Sequence, residues 1–336
     1  MVPLSVLDLA TVSEGATPAE ALADTVALTR QAEQLGYRRI WVAEHHGMPS
    51  VASSSPPVLV AHLAASTRTI RVGAGGVMLP NHAPMVVAEQ FATLEALHPG
   101  RIDLGLGRAP GTDPATARAL RRQADVGADH FPEDVVELFG YLADVERPAA
   151  QPAITPGIGY LPEVWLLGSS LFSAQLAGLL GLPFSFAYHF APDLLDQALE
   201  RYRATFRPSF VLEHPHVMVA VSVLCAEDAD EAAWLAGPAA LSILQLRAGN
   251  PAPLTTPERA AATELSPTER AIVERATASH VVGDPRSVAE GLARLVERTG
   301  TDELMVSTRA HSLEVRVRSL TLVAEACGLG GAPAPR

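Results

Sequence analysis

Residues 164–192, VWLLGSSLFSAQLAGLLGLPFSFAYHFAP, decide how this chain folds. The stretch carries no Asp, Glu, Lys or Arg, and as a continuous helix it would be long enough to cross a bilayer. Its punctuation argues otherwise. Gly168-Ser169-Ser170 and Gly181-Leu182-Pro183 cut it into an apolar run, a helical stretch and a second apolar run. Runs so continuously apolar are strands covered on both faces, so the segment reads as buried strand, helix, buried strand. No membrane span is expected.

The same unit recurs in both directions. Short β-type runs lie at 4–9, 39–43, 70–77, 102–106, 164–167, 184–188, 217–224 and 303–307. Helical patterns fill the intervals at 19–35, 57–66, 84–97, 133–144, 171–180, 193–206, 228–246, 287–299 and 313–326. Thr17-Pro18 opens the first of them and Gly36 closes it. Strands alternating with helices in this number predict an α/β fold of the (β/α)8 TIM-barrel type rather than an open sheet. Two intervals exceed the repeat, so insertions are expected after strand 4, at 110–151, and after strand 7, at 227–282. Within the second, Gly249-Asn250-Pro251-Ala252-Pro253 and Thr255-Thr256-Pro257 are linker-like, and residues 249–279 read either as a mobile cover for the barrel or as a surface excursion. The barrel is expected to be one domain over 1–329, followed by a Gly/Ala/Pro-rich disordered tail over 330–336.

Composition narrows the function. With 37 acidic against 25 basic residues and a net charge of −12, the chain lacks the excess of Lys and Arg that binds a phosphate backbone, so nucleic acid is not expected as a partner. Cys225 and Cys327 are too few for a disulfide framework and read as thiols of a reducing compartment. The apolar run at 4–9 holds Asp8 and has no basic leader, which predicts a cytoplasmic location.

In a barrel of this type the chemistry sits just past the strand C-termini. Glu44-His45-His46 follows the second strand there, Gly75-Gly76 and Met78 lie at the third, and Gly107-Arg108 at the fourth. Gly168-Ser169-Ser170 follows the fifth, Tyr188-His189 the sixth, and Arg309 and His311 the last. Arg108 with Ser169, Ser170 and Ser173 combines a guanidinium fork, hydroxyls and the free N–H groups of a helix start, which suits a phosphate. Equally, a serine there caps its helix and an arginine pairs with a surface acid. His45 and His46 project to opposite sides of extended backbone and cannot share an ion, so no metal site is expected. One imidazole at the barrel mouth could handle a proton near neutral pH. The glycines at 73–76 and 105–107 do not complete a dinucleotide fingerprint; they would let a flat ligand approach the backbone, or simply fill a tapering barrel.

Taken together, Trp41-Val42-Ala43-Glu44-His45-His46, the run from Gly75 through Asn81-His82-Ala83-Pro84 to Ala88-Glu89-Gln90, and Gly100-Arg101-Ile102-Asp103-Leu104-Gly105-Leu106-Gly107-Arg108 resemble the bacterial luciferase-like flavin monooxygenases. The resemblance continues from Gly168 to Pro183 and is vague after about Glu227. It implies that His45 is the catalytic histidine, that Gly75-Gly76 is a non-prolyl cis peptide beside the isoalloxazine, and that Arg108, Ser170 and Ser173 contact the flavin phosphate. Ser169 stands where luciferase has an acidic residue and Gly107 where it has a cysteine. His46, Met78, His189, Arg309 and His311 are carried as substrate-pocket residues.

The implied activity is two-component oxygenation: a separate NAD(P)H:flavin reductase supplies reduced FMN, which with O2 oxygenates a small organic substrate. Usage rich in Ala, Arg and Pro suggests a high-GC source, where relatives tailor secondary metabolites such as aromatic polyketides in antibiotic biosynthesis. Most relatives resemble homodimers. Two alternatives share the fold: a deazaflavin (F420)-dependent enzyme transferring hydride without oxygen, and a flavin-binding paralogue without catalysis.

Overall fold

A computed structural model describes residues 1–109, 116, 119–120, 130–145 and 151–330. Strands β1 (Leu4–Asp8), β2 (Arg39–Val42), β3 (Arg71–Met78), β4 (Ile102–Gly107), β5 (Glu163–Gly168), β6 (Phe184–Phe186) and β7 (Val217–Cys225) pair in parallel. A short strand, β8 (Val281–Gly283), pairs with the upper end of β7. The last strand, β9 (Glu303–Ser307), pairs with both β7 and β1, and β6 pairs with β7, so the eight long-range partners close into the expected TIM barrel.

Between the strands run α1 (Pro18–Leu35), α2 (Pro56–Ala65), α3 (Pro84–Leu97), α4 (Phe131–Leu142), α5 (Leu171–Leu180), α6 (Leu195–Thr205), α7 (Ala229–Arg247), α8 (Pro257–Ala261), α9 (Pro267–Thr277), α10 (Pro285–Thr299) and α11 (Leu313–Cys327). Their ends follow local chemistry. Thr17 and Glu20 form a capping box at the start of α1, and Gly36 closes it in the left-handed conformation at φ 84°. The uncharged segment at 164–192 is β5, α5 and β6 in succession, and among the described residues no helix is long and apolar enough to cross a membrane.

Alternation along the strands separates two cores. Outward-facing residues such as Val6, Ile40, Val72, Leu104 and Leu304 pack under the helices. Inward-facing Leu7, Trp41, Trp165, Met218, Ala220 and Met305 fill the barrel, with Trp41 and Trp165 edge to face at 5.6 Å. Room for the Trp41 indole comes from glycine: a Cβ on Gly73 would lie 2.9 Å from its Nε1 and one on Gly75 2.6 Å from its ring. Below this layer the barrel is closed by charge. Arg39 donates to Asp103 at 2.8 Å, Glu163 at 2.9 Å and Glu303 at 2.9 Å, while Trp41 and Trp165 donate their indole N–H to Asp103 and Glu163.

The insertion after β7 contains α7, α8, α9 and β8, of which only the first helix was expected. Its linker-like part is tied down rather than free-standing. Leu254 is fully buried, donates its N–H to the Val12 carbonyl at 2.9 Å and accepts from the Glu14 N–H at 2.8 Å. Arg259 and Thr255 also hold the Glu14 carboxylate. The insertion after β4 includes α4, with 110–115, 117–118, 121–129 and 146–150 outside the described residues. The expected tail lies outside them from residue 331.

Candidate active site

The open end of the barrel holds a cavity of about 970 Å3, a size suited to a cofactor with a small substrate. Leu7, Trp41 and Met305, the top of the inner core, form part of its lining, and Gly75, Gly76 and Met78 contribute from β3. The α7 residues Ala236, Gly237, Ala240 and Ile243 recur at helical spacing and present one small, apolar face to it.

At β3 the Gly75–Gly76 peptide is cis, where the register against β4 shifts between Gly75 and Val77. A Cβ on Gly76 would run into the Leu167 side chain and lie 2.7 Å from the Gly105 carbonyl oxygen. Glycine at 76 is therefore a steric requirement of this wall, whatever lies against it.

Past β4 and β5 the cavity turns polar. Arg108, Ser169, Ser170 and Ser173 all border it. Ser170 caps α5 through a 3.3 Å bond from the Ser173 N–H, and its hydroxyl stands 3.2 Å from that of Ser173. Capping and cavity-lining thus coexist in one residue. The Arg108 guanidinium lies 4.4 Å from the centre of the Phe172 ring, and among the described residues no carboxylate pairs with it. Gly168 leaves the space that Ser173 occupies, so the hydroxyl and the strand end can approach closely.

His45 borders the cavity, its backbone N–H donating to the Ser53 carbonyl at 2.9 Å. His46 and His311 do not line it, which corrects the expectation for both. His46 Nε2 meets the buried Glu44 carboxylate at 2.9 Å, and His311 Nε2 faces the Glu14 carbonyl at 3.3 Å. The reason for the first is the alternation of adjacent side chains, since His45 takes the side toward the cavity. Glu44 also accepts from His82 Nε2 at 2.9 Å, Asn81 Nδ2 at 3.3 Å and the Met78 N–H at 2.9 Å. Burial would raise its pKa, but these donors outweigh burial and hold it below the ordinary carboxylate value. Glu44 thereby clamps the loop after β2 to the loop after β3.

His189 and Arg309 also border the cavity, together with His280, which sequence reasoning missed. Burial first, and then the neighbouring His280, Arg309 and His45 charges, push the His189 imidazole down to about 4 against a backbone contact to Ala220 that raises it. Burial likewise lowers His280. His280 sits just before β8 at the end of the long insertion, where periodicity carries no signal for a cavity position. Among the described residues no group of three or more His, Cys, Asp or Glu has the arrangement to hold a metal ion.

Comparison with known proteins gives this arrangement a family. The sequence model of the luciferase-like monooxygenases matches residues 2–303. A luciferase-like monooxygenase of Escherichia coli (strain K12) is 46% identical over 321 residues, covering 96% of each chain. The crystal structure of apo-MsnO8 superposes with a TM-score of 0.92 at 37% identity, covering 99% of this chain and 100% of that one. The oxygenating constituent of 3,6-diketocamphane monooxygenase from Pseudomonas putida, a type II Baeyer-Villiger enzyme crystallised in complex with FMN, shares the fold at a TM-score of 0.73 and 19% identity over 97% of each chain. On its barrel, its site and these likenesses, the chain belongs to the luciferase-like monooxygenases.

Proposed function

We propose that the protein is the oxygenating component of a two-component flavin monooxygenase, accepting reduced FMN from a separate reductase and oxygenating a small organic substrate with O2. The observation that carries this is the pairing, on one cavity wall, of an arginine without a carboxylate partner among the described residues with the serine-rich start of α5. That combination suits one phosphate, and the cavity continues from it to the side-chain-free wall at Gly75-Gly76 and to His45.

Bound reduced flavin supplies the electrons and the reaction with oxygen. The chain supplies the rest. Arg108 holds the phosphate with its guanidinium fork, and Ser169, Ser170 and Ser173 add hydroxyl and backbone donors at the helix start. Gly75 and Gly76 offer a flat ring a stretch of backbone without side chains on the cavity wall. The apolar lining from Leu7, Trp41, Met78 and Met305 keeps water from the reacting atoms. His45 gives or takes the proton of the oxygen-transfer step. A homodimer acting on a secondary metabolite in the cytoplasm is the setting this reading favours.

Anaerobic titration with reduced FMN, followed by an oxygen pulse and product analysis, tests the proposal. Arg108→Ala should weaken FMN binding by roughly 10- to 100-fold, the worth of a charge-assisted bidentate contact. His45→Ala should retain FMN binding and lose product formation. Preferential binding of F420 over FMN would replace oxygenation with hydride transfer, and unchanged coupled turnover in His45→Ala would remove the assigned proton role.

A further inference from the structure

We propose that Arg309, with His189 and His280 beside it, is the binding subsite for a carboxylate on the organic substrate, so that the enzyme acts on small carboxylic acids. The proposal rests on the flavin reading, because it assigns the remaining side of the same cavity.

Arg309 borders the cavity, and among the described residues no carboxylate lies within ion-pair distance of it. Its Nε is buried and has no hydrogen-bond partner there, and the His189 Nδ1 is in the same condition. Arg309 is partly buried, and a guanidinium partly withdrawn from water without an opposite charge is unfavourable; the two fully buried arginines, Arg39 and Arg316, are both paired with carboxylates. Burial accordingly depresses Arg309, and no neighbouring acid offsets the effect. An anionic ligand would complete the arrangement with two planar N–H donors and the imidazoles flanking them.

Position separates this locus from the phosphate site. In the closed strand order β6-β5-β4-β3-β2-β1-β9-β7, Arg108 and Ser170 follow β4 and β5, whereas Arg309 follows β9, across the ring. A mononucleotide held at Arg108 and extending toward Gly75-Gly76 and His45 occupies the β5 to β2 side. Its one phosphate is then accounted for, and Arg309 faces what remains of the cavity. That remainder is apolar apart from this cluster, a few hydroxyls and the exposed Arg247 at the end of α7, with Leu7, Leu9, Ala220 and Met305 nearby on β1, β7 and β9. Such a lining suits a hydrocarbon body carrying one acidic group.

The test uses flavin-free protein and two matched probe pairs, benzoate with benzamide and hexanoate with hexanamide, in calorimetric titrations. At least one carboxylate should bind about ten-fold more tightly than its amide, as expected for hydrogen bonds to a charged group. Arg309→Met should reduce that preference to within about two-fold, with Arg309→Lys retaining part of it as a folded control. Binding of FMN and reduced FMN should change by less than about two-fold in Arg309→Met, whereas Arg108→Ala should show the reverse pattern. Equal binding of acid and amide, no binding of either acid, or a preference that survives Arg309→Met would overturn the proposal. So would a ten-fold loss of reduced-FMN binding in Arg309→Met, which would assign the guanidinium to the flavin ring. If wild-type protein distinguishes acid from amide through Arg309 but binds no FMN, the flavin reading fails and the carboxylate subsite stands.

Discussion

At the scale of single residues, the site depends on atoms that are left out as much as on those present. Gly76 has the Leu167 side chain and the Gly105 carbonyl where its Cβ would stand, and a carbonyl in a barrel strand cannot swing away. Gly76→Ala should therefore destabilise by about 1–3 kcal/mol as an overpacked core position, measured as a lower urea midpoint, and should weaken FMN binding. His189 makes a different prediction. Its imidazole, held at about 4 by burial and neighbouring charge, takes up a proton more readily in the unfolded chain, at 6.5. Its contribution to stability is thus complete above pH 6.5 and is lost as pH falls from there toward 4. Thermal scans of wild type and His189→Gln should diverge over that window, the variant losing less by on the order of 1–3 kcal/mol. The neighbouring pair His45 and His46 shows how much a residue's direction decides, since only the first reaches the cavity while the second reaches Glu44.

At the scale of elements, the long insertion after β7 supplies one wall of the cavity, and its attachment determines whether that wall holds. Leu254 is buried against the loop after β1, with backbone bonds to Val12 and Glu14. Leu254→Ala should leave the barrel folded while loosening this attachment, with a local cost of about 2–5 kcal/mol. Hydrogen exchange should accelerate over residues 249–262 and remain unchanged in β1 to β6. Unchanged protection there would show that α7 and α9 hold the segment without it. This insertion was also the least legible part of the sequence. The barrel strands announced themselves because several are covered on both faces and almost continuously apolar, and α5 because glycine and serine bound it. By contrast, β8 has three residues, α8 has five, and α9 buries none of its residues, so neither length nor periodicity marked them. His280 went unread for the same reason, as a cavity residue between two unread elements. Arg108, Ser170 and Ser173 were legible because the strand-end rule and a helix start converge on them, whereas His311, on a similar strand-end argument, turns its ring to a backbone carbonyl.

At the scale of the whole molecule, one end of the barrel is held by charge so that the other end can remain open. Arg39 is fully buried and joins β2 to Asp103 on β4, Glu163 on β5 and Glu303 on β9, and Arg71 adds a second guanidinium to Asp103 and Glu163. Burial would raise the pKa of Glu163, but Arg39 and Arg71 outweigh it and hold the group below its ordinary value. That carboxylate consequently stabilises the fold above the ordinary carboxylate pKa and loses its contribution as pH falls through the lowered one. Arg39→Met would leave Asp103 and Glu303 buried and Glu163 partly buried without their shared guanidinium, Arg71 still reaching the first and third and Arg38 lying 3.5 Å from Glu303, and should reduce stability by about 3–5 kcal/mol at pH 7. In the variant Glu163 loses the larger of the two charges that hold its pKa down while burial still raises it, so acidification relieves the strain of charge. The gap between wild type and Arg39→Met should accordingly narrow between pH 7 and 5, when urea midpoints are compared at the two values. A gap that stayed constant would mean that Arg39 acts by filling space between Trp41 and Trp165, over whose rings its guanidinium lies at 5.9 Å and 5.1 Å, rather than by balancing charge. Because the network is separated from the cavity by the Trp41 and Trp165 layer, FMN affinity measured under conditions where the variant is folded should remain near that of wild type.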